Sequence, residues 1–249
     1  MTADRSSPGG NGTADEVVVT VDTEWCPDAV IADTVELLDA HNVPATLFST
    51  HADGVTARGH ERALHPNFLA DETTEAEALE SVAEAYPSAT GLRAHGMYVH
   101  SPLRARYDEF GLGYESNYAA YLVAGLEPFW MFDEVVQFPV YFMDDTWLRL
   151  RDDPDTLPGV DSLLAGPGLR VFDFHPVHVY LNSPDIDYYQ ARKDVYHEPD
   201  RLREERYDGP GVRDLFVALL ERLSGTDVRT LDDLASSFRE TTPYDSLRR

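Results

Sequence analysis

The sequence predicts an α/β protein with mostly parallel strands, and three observations support this. Short apolar runs rich in β-branched residues alternate with stretches of helical periodicity along the chain, as in βαβ units. Several of these runs end in a carboxylate, imidazole or guanidinium group, which is typical of the C-terminal edge of a parallel sheet. The length of 249 residues fits a closed or nearly closed barrel of parallel strands.

The elements follow in order from local composition. Residues 17–21 (VVVTV) predict a buried strand because β-branched residues fill it, and residues 28–41 carry apolar residues at helical spacing. Thr74 and Glu77 have the spacing of a capping box for a helix over 73–85. Further strands are predicted at 43–49, 92–95, 113–118, 135–143 and 169–174. Further helices are predicted at 103–110, 212–223 and 231–238.

The charge of the chain is strongly negative. It has 45 acidic and 20 basic residues, a net charge of −25, and Lys193 as its only lysine. Acidity spread along the whole chain predicts a protein from a high-salt organism, because salt screens the self-repulsion. An acidic cytoplasmic protein without special solvent is the alternative. Either surface disfavours nucleic acid and anionic membranes as partners.

The remaining composition predicts a cytoplasmic protein. Cys26 is the only cysteine, which rules out an internal disulfide. No apolar run approaches membrane-spanning length. Residues 1–14 are polar and lack the apolar region of a secretory signal, so we predict a disordered leader there and one domain over 15–249.

Two carboxylates end the first predicted strand. Asp22 and Glu24 are two residues apart and therefore share one side of the strand. Burying both is costly unless a metal cation or a bound proton compensates their charge. The pair predicts a site that other residues complete.

Polar groups follow four other apolar pieces of the chain. They are His65 and Asn67, Arg93 and His95, Asp144 and Asp145, and His175 and His178. A single carboxylate after a strand is often a helix cap, whereas five such endings indicate one shared site. Carboxylates and imidazoles together suit zinc, with manganese, cobalt or iron as alternatives.

The order of these pieces resembles the polysaccharide deacetylase superfamily of metal-dependent carbohydrate esterases. The motifs are VTVDTE (19–24), ATLF (45–48), LHPNF (64–68), RAH (93–95), DDTW (144–147) and FHPVHVYLN (174–182). Their combination is most similar to a divergent branch linked to cell-surface polysaccharide biosynthesis. The resemblance covers about residues 16–225 and implies a distorted (β/α)7 barrel.

The resemblance also implies roles by position. Glu24 and His65 are implied as metal ligands. The implied catalytic residues are Asp22 as general base, Arg93 holding that base in its charged form, Asp145, and His175 as general acid.

One motif departs from the family pattern. The family has two metal-binding histidines four residues apart, but Leu69 stands four residues after His65 and cannot bind a metal. The third ligand must come from elsewhere. His178 is the first choice because it lies beside the predicted general acid, and His95 and Asn67 are the alternatives.

The implied activity is removal of an acetyl group from an N-acetylated sugar or glycoconjugate precursor. Two other interpretations stay open: a non-catalytic relative that binds carbohydrate, and a hydrolase of another linear amide. The partner expected in each deacetylase-like interpretation is a carbohydrate. Residues predicted to contact it are Trp25, Asn67, His95, Tyr98, Trp147 and Asn182.

Overall fold

The strands form one curled sheet in the computed structural model, which describes residues 15–151, 153 and 156–244. Within the described residues the strands are β1 (Val17–Asp22), β2 (Ala45–Ser49), β3 (Glu61–Leu64), β4 (Gly91–Leu92), β5 (Tyr114–Glu115), β6 (Phe129–Trp130), β7 (Val136–Gln137), β8 (Val140–Met143) and β9 (Arg170–Phe174). Their order is β6-β7-β5-β4-β3-β2-β1-β9-β8. Only β6 and β7 pair antiparallel; the other neighbours are parallel.

The two ends of this strand order come together, because β7 lies next to one end and β8 is the other end. These two strands are consecutive in the chain and flank Pro139. The missing N–H of Pro139 interrupts the ladder of hydrogen bonds between them and their neighbour. The segment that contains β5 bonds to both strands: Phe138 N donates to Glu115 O at 2.9 Å, and Val140 N donates to Tyr118 O at 2.8 Å. On its other side, β8 pairs with β9. The sheet thus curls into the distorted (β/α) barrel that the sequence predicts.

Helices surround the sheet and close the end of the barrel at which the strands begin. They are α1 (Asp28–His41), α2 (Glu75–Ala85), α3 (Ser101–Arg104), α4 (Asp144–Leu150), α5 (Val160–Leu164), α6 (Pro176–Leu181), α7 (Ile186–Gln190), α8 (Pro199–Glu204), α9 (Val212–Leu223) and α10 (Leu231–Thr241). The outer core lies between the sheet and α1, α6 and α9, where Ile31, Val179 and Phe216 are fully buried.

Alternate residues of β1 face opposite sides, as the period of a strand requires. Val19 and Val21 join the outer core, whereas Val18 joins a second cluster that fills the N-terminal half of the barrel interior. The start of α10 closes this half. Leu231 N donates to Thr46 Oγ1 at 2.9 Å, and the leucine side chain is fully buried.

Most predicted elements are confirmed, with differences where segments are short. Predicted strand 92–95 contracts to β4, since the chain turns at Gly96, whose φ is 67°. Predicted helix 103–110 divides into α3 and a 3₁₀ turn at Tyr107–Phe110. The sequence analysis did not predict α6, α7 or α8, because helices of five or six residues show too little periodicity. The predicted leader over 1–14 lies outside the described residues.

Of the helices that the structure describes, none combines the length and apolar character that a membrane span requires.

Candidate metal and active site

Asp22 is the last residue of β1 and lies inside the barrel against Arg93, which follows β4. Arg93 Nη1 donates to Asp22 Oδ1 at 2.8 Å, to Asp173 Oδ1 at 2.5 Å and to Thr20 Oγ1 at 2.8 Å. Burial lowers the pKa of Arg93, but the charges of Asp173 and Asp22 outweigh it and leave the pKa raised. Asp22 therefore has a permanent cation as its partner.

Glu24 lies just beyond the end of β1 and turns in another direction. Its backbone has a φ of 50°, a left-handed conformation that costs a non-glycine residue about 1 kcal/mol or more, and its carbonyl accepts from the Thr50 hydroxyl. Glu24 Oε1 lies 3.3 Å from His65 Nε2 and 3.1 Å from His95 Nδ1. Burial raises the pKa of Glu24, but these two imidazoles outweigh it and hold the pKa well below its usual range.

These three side chains fit a divalent cation. Their donor atoms all lie within 4.8 Å of one another. Ligands about 2.1 Å from a tetrahedral ion are about 3.4 Å apart, close to the separations of Glu24 from His65 and His95. One carboxylate and two imidazoles are a donor set for zinc or a similar borderline ion, and three protein ligands leave a fourth position for water or substrate.

His175 approaches the same carboxylate from β9. Its Nδ1 lies 2.6 Å from Asp144 Oδ1, and its backbone N–H donates to Asp144 Oδ2 at 2.8 Å. Its Nε2 lies 3.7 Å from Glu24 Oε1. Burial lowers the pKa of His175, but Asp144 and the other nearby carboxylates outweigh it and raise the pKa well above its usual value. This setting favours the protonated form of His175.

The site opens into a cavity of about 640 Å³, a volume in the range of small-molecule pockets. Glu24 and His95 line its floor, and His175, Lys193 and residues of α4, α6 and α7 line one wall. Trp25 lies at the cavity with 41% of its surface exposed and contacts the edge of His95, with ring centroids 5.1 Å apart.

The structure brings His95, and not the predicted His178, to Glu24 and His65. His178 is buried on α6, where its Nδ1 lies 3.2 Å from Ser183 Oγ. Burial and the neighbouring charge of His175 lower the pKa of His178 well below its usual value. His178 instead belongs to a group with Asp144 and His175, whose donor atoms lie within 4.8 Å of one another.

Asp144 supplies the contact with His175, although the sequence analysis named its neighbour Asp145 as the catalytic residue. Asp145 is half-buried at the cavity wall, where its Oδ1 accepts from Thr146 Oγ1 at 3.2 Å. Both residues begin α4, and successive helix positions are about 100° apart. One position along the helix therefore separates an internal carboxylate from one that faces the cavity.

Trp25 and His95, two of the residues predicted to contact substrate, line the cavity. Four other predicted contact residues are absent from that lining: Asn67, Tyr98, Trp147 and Asn182. The Tyr98 hydroxyl donates to Glu75 at 2.8 Å, Trp147 is buried in the outer core, and the Asn182 amide donates to the Tyr207 carbonyl at 3.1 Å. Their polar groups thus serve the fold in this structure.

Asp173 is the site residue that the sequence analysis did not single out. It is fully buried on β9, its Oδ1 accepts from Arg93 and Thr20, and its Oδ2 has no partner among the described residues. Burial raises its pKa well above the usual value. The available signal was a carboxylate inside an apolar strand, two residues before His175 and therefore on the same side.

Comparison with known proteins agrees with this architecture. Residues 19–193 match the family described as WbmS-like polysaccharide deacetylase. The match covers more than half of the chain, and the chain therefore belongs to this family, a divergent part of the polysaccharide deacetylase superfamily. The comparison with curated proteins found no match.

Two solved structures are similar to this fold. WbmS from Bordetella bronchiseptica, described as a polysaccharide deacetylase involved in O-antigen biosynthesis, is 26% identical with a TM-score of 0.76. The similarity covers 83% of this chain and 90% of WbmS. A polysaccharide deacetylase from Mycobacterium smegmatis has a TM-score of 0.55 at 18% identity, over 96% of this chain and 95% of that protein; this likeness concerns the fold alone.

Proposed function

We propose that this chain is a metal-dependent hydrolase that removes an acetyl group from an N-acetylated sugar or glycoconjugate precursor. The supporting observation is the different setting of two carboxylates two residues apart. Glu24 faces His65 and His95, whereas Asp22 faces Arg93. One carboxylate is thereby suited to bind a cation and the other to accept a proton.

The proton transfers can be assigned to residues of this chain. A divalent ion held by Glu24, His65 and His95, with zinc as first choice, would polarise the amide carbonyl and acidify a water molecule. Asp22, which accepts a hydrogen bond from Arg93, accepts the proton of the attacking water. Its Oδ2 lies 3.8 Å from His65 Nε2, within reach of the same point.

His175 completes the reaction from the opposite side. Its Nε2 donates a proton to the departing amine, which would otherwise be a poor leaving group. Asp144 lies 2.6 Å from the other ring nitrogen, which orients the ring and raises the pKa of His175. Asp144 is thus a positioning residue.

Metal content and acetate release test the proposal together. Purified wild-type protein should hold about one zinc per chain and release acetate from N-acetylglucosamine oligomers. His65→Ala and His95→Ala should lose both properties, whereas His178→Ala is the matched control and should keep the zinc. Asp22→Asn should keep the zinc and lose turnover by about 10²- to 10⁴-fold.

Two outcomes would contradict the proposal. A protein that binds these sugars but holds no metal and releases no acetate would be a non-catalytic relative. Loss of zinc in Asp22→Asn, with zinc retained in Glu24→Gln, would show that the roles of the two carboxylates are exchanged.

A further inference from the structure

The wall of the cavity carries positive charge in a protein that is otherwise strongly negative. The chain has a net charge of −25 and a single lysine. That residue, Lys193, lines the cavity, and so does Arg149. An acidic protein repels anions over its surface, so cations placed at its candidate active site are a local reversal of that field.

Both cations belong to the wall that also carries the general acid. Arg149 is on α4, the helix that begins with Asp144, the partner of His175. Ring contacts connect His175 to Lys193 along the same wall. The centroids of His175 and His178 are 5.7 Å apart, those of His178 and Tyr189 are 4.6 Å apart, and Lys193 Nζ lies 5.4 Å from the centroid of Tyr189.

Neither cation is neutralised by an ion pair within the part of the chain that the structure describes. By contrast, Arg192 lies 3.1 Å from Glu205 and Arg222 lies 3.0 Å from Asp161. Arg149 and Lys193 are both exposed and have no carboxylate within ion-pair distance, although Asp145 precedes Arg149 by one helical turn.

The cavity carboxylates leave this positive charge uncompensated. Glu24 is already engaged by His65 and His95, which leaves Asp145 as the nearby acid against two cations. The aromatic rings of Trp25 and Tyr189 also line the cavity and suit a sugar ring.

We propose that the substrate is an anionic acetamido sugar, and that Arg149 and Lys193 bind its phosphate or carboxylate group while the acetamido group lies at Glu24 and His175. This rests on the proposed function and narrows its substrate class. Guanidinium and ammonium groups are the usual partners of phosphate and carboxylate. A neutral sugar would leave both cations without a partner.

Binding of three sugars to the zinc-loaded full chain tests the proposal by calorimetry in about 0.1 M salt, where the screening length is about 10 Å. The probes are N-acetylglucosamine, its 1-phosphate and N-acetylglucosaminuronic acid. At least one anionic probe should bind roughly tenfold or more tightly than the neutral sugar, as expected for charge-assisted hydrogen bonds. The anionic probe that gains affinity identifies the charged group.

Three variants locate the effect. Arg149→Gln combined with Lys193→Gln should remove most of the anionic preference, and Arg149→Lys combined with Lys193→Arg should restore part of it. Arg58→Gln is the matched control, because Arg58 is also exposed but lies near Pro44 and His60 at the other end of the strands. It should leave the preference unchanged.

The results separate this inference from the proposed function. Acetate release without preference for either anionic probe, or an equal loss of preference in Arg58→Gln, would overturn the inference alone. If none of the three sugars binds and none loses its acetyl group while zinc is present, the proposed function fails as well.

Discussion

The two halves of the barrel interior are filled in opposite ways. In the half at the N-terminal ends of the strands, Val18 and Val171 pack under Leu231 of α10. In the half at the C-terminal ends, Arg93 and Asp173 are fully buried with Asp22 beside them. Apolar burial contributes about 25 cal/mol per Å², whereas a buried charge stabilises only if every partner is present.

This difference divides stability from function. The apolar half can gain free energy from contact alone and needs no particular geometry beyond close packing. The charged half holds a carboxylate at a fixed position before substrate arrives, which is the arrangement that catalysis by preorganised groups requires. Changes in the two halves should therefore have different consequences.

The largest effect is expected for Arg93→Met. The substitution leaves Asp22 and Asp173 buried without their cation, so the free energy of unfolding should fall by about 3–5 kcal/mol. Urea denaturation measures it, with Arg58→Met as the exposed control. Adding Asp173→Leu should recover part of the loss, because a buried carboxyl group that has lost its hydrogen-bond partner is removed. A loss below 1 kcal/mol for Arg93→Met would mean that the network is solvated.

Leu231→Ala examines the apolar half. The side chain is fully buried, and its truncation should lower the free energy of unfolding by about 2–3 kcal/mol. Zinc content and acetate release per folded molecule should stay as in wild type, since α10 is remote from the cavity lining. Leu150→Ala is the control because Leu150 is 62% exposed. Loss of zinc in Leu231→Ala would show that the halves are coupled.

Asp173→Asn should have a smaller effect that depends on pH. Burial raises the pKa of Asp173 well above its usual value, so the folded chain binds this proton more tightly than the unfolded chain. Wild-type stability should then fall as pH rises from about 4 toward the folded pKa. Asparagine does not ionise, so the variant lacks this loss. Its free energy of unfolding should exceed that of wild type by on the order of 1 kcal/mol between pH 4.5 and 7. Parallel pH dependences would contradict the expectation.

A change of salt concentration should have the smallest effect of these perturbations, and it should alter the surface rather than the buried charge network. We expect an increase from 0.1 to 1 M KCl to raise wild-type stability on the order of 1 kcal/mol, because it screens repulsion among surface carboxylates. The cost of Arg93→Met should be equal at both concentrations, since that network is buried. A falling wild-type stability with salt would contradict the predicted high-salt adaptation.

The geometry of parallel strands explains which parts of the site could be predicted. Parallel strands end at one edge, so residues that follow different strands meet there. This predicts that the five polar strand endings share one edge, whereas the pairing of Asp22 with Arg93, and of Glu24 with His65, is implied only by the family resemblance. The apolar runs of the strands also predicted the barrel.

Local geometry after each strand could not be predicted in the same way. His95 lies at Glu24 because the segment after β4 runs beside the segment after β3, where His95 N donates to Pro66 O at 3.0 Å, and nothing in the RAH motif specifies that contact. The choice between Asp144 and Asp145 depends on where α4 begins, and a shift of one residue reverses it. Asp173 was missed because a run of apolar neighbours conceals a single internal carboxylate.

The position of α10 has a consequence for synthesis of the protein. β1 pairs with β9, and the apolar half of the interior is closed only when Leu231 arrives. Translation at 5–20 residues per second leaves the first strands waiting on the order of ten seconds or more for these partners. During that time β1 keeps an unpaired edge and an uncovered apolar face, so the nascent chain is open to aggregation or chaperone binding.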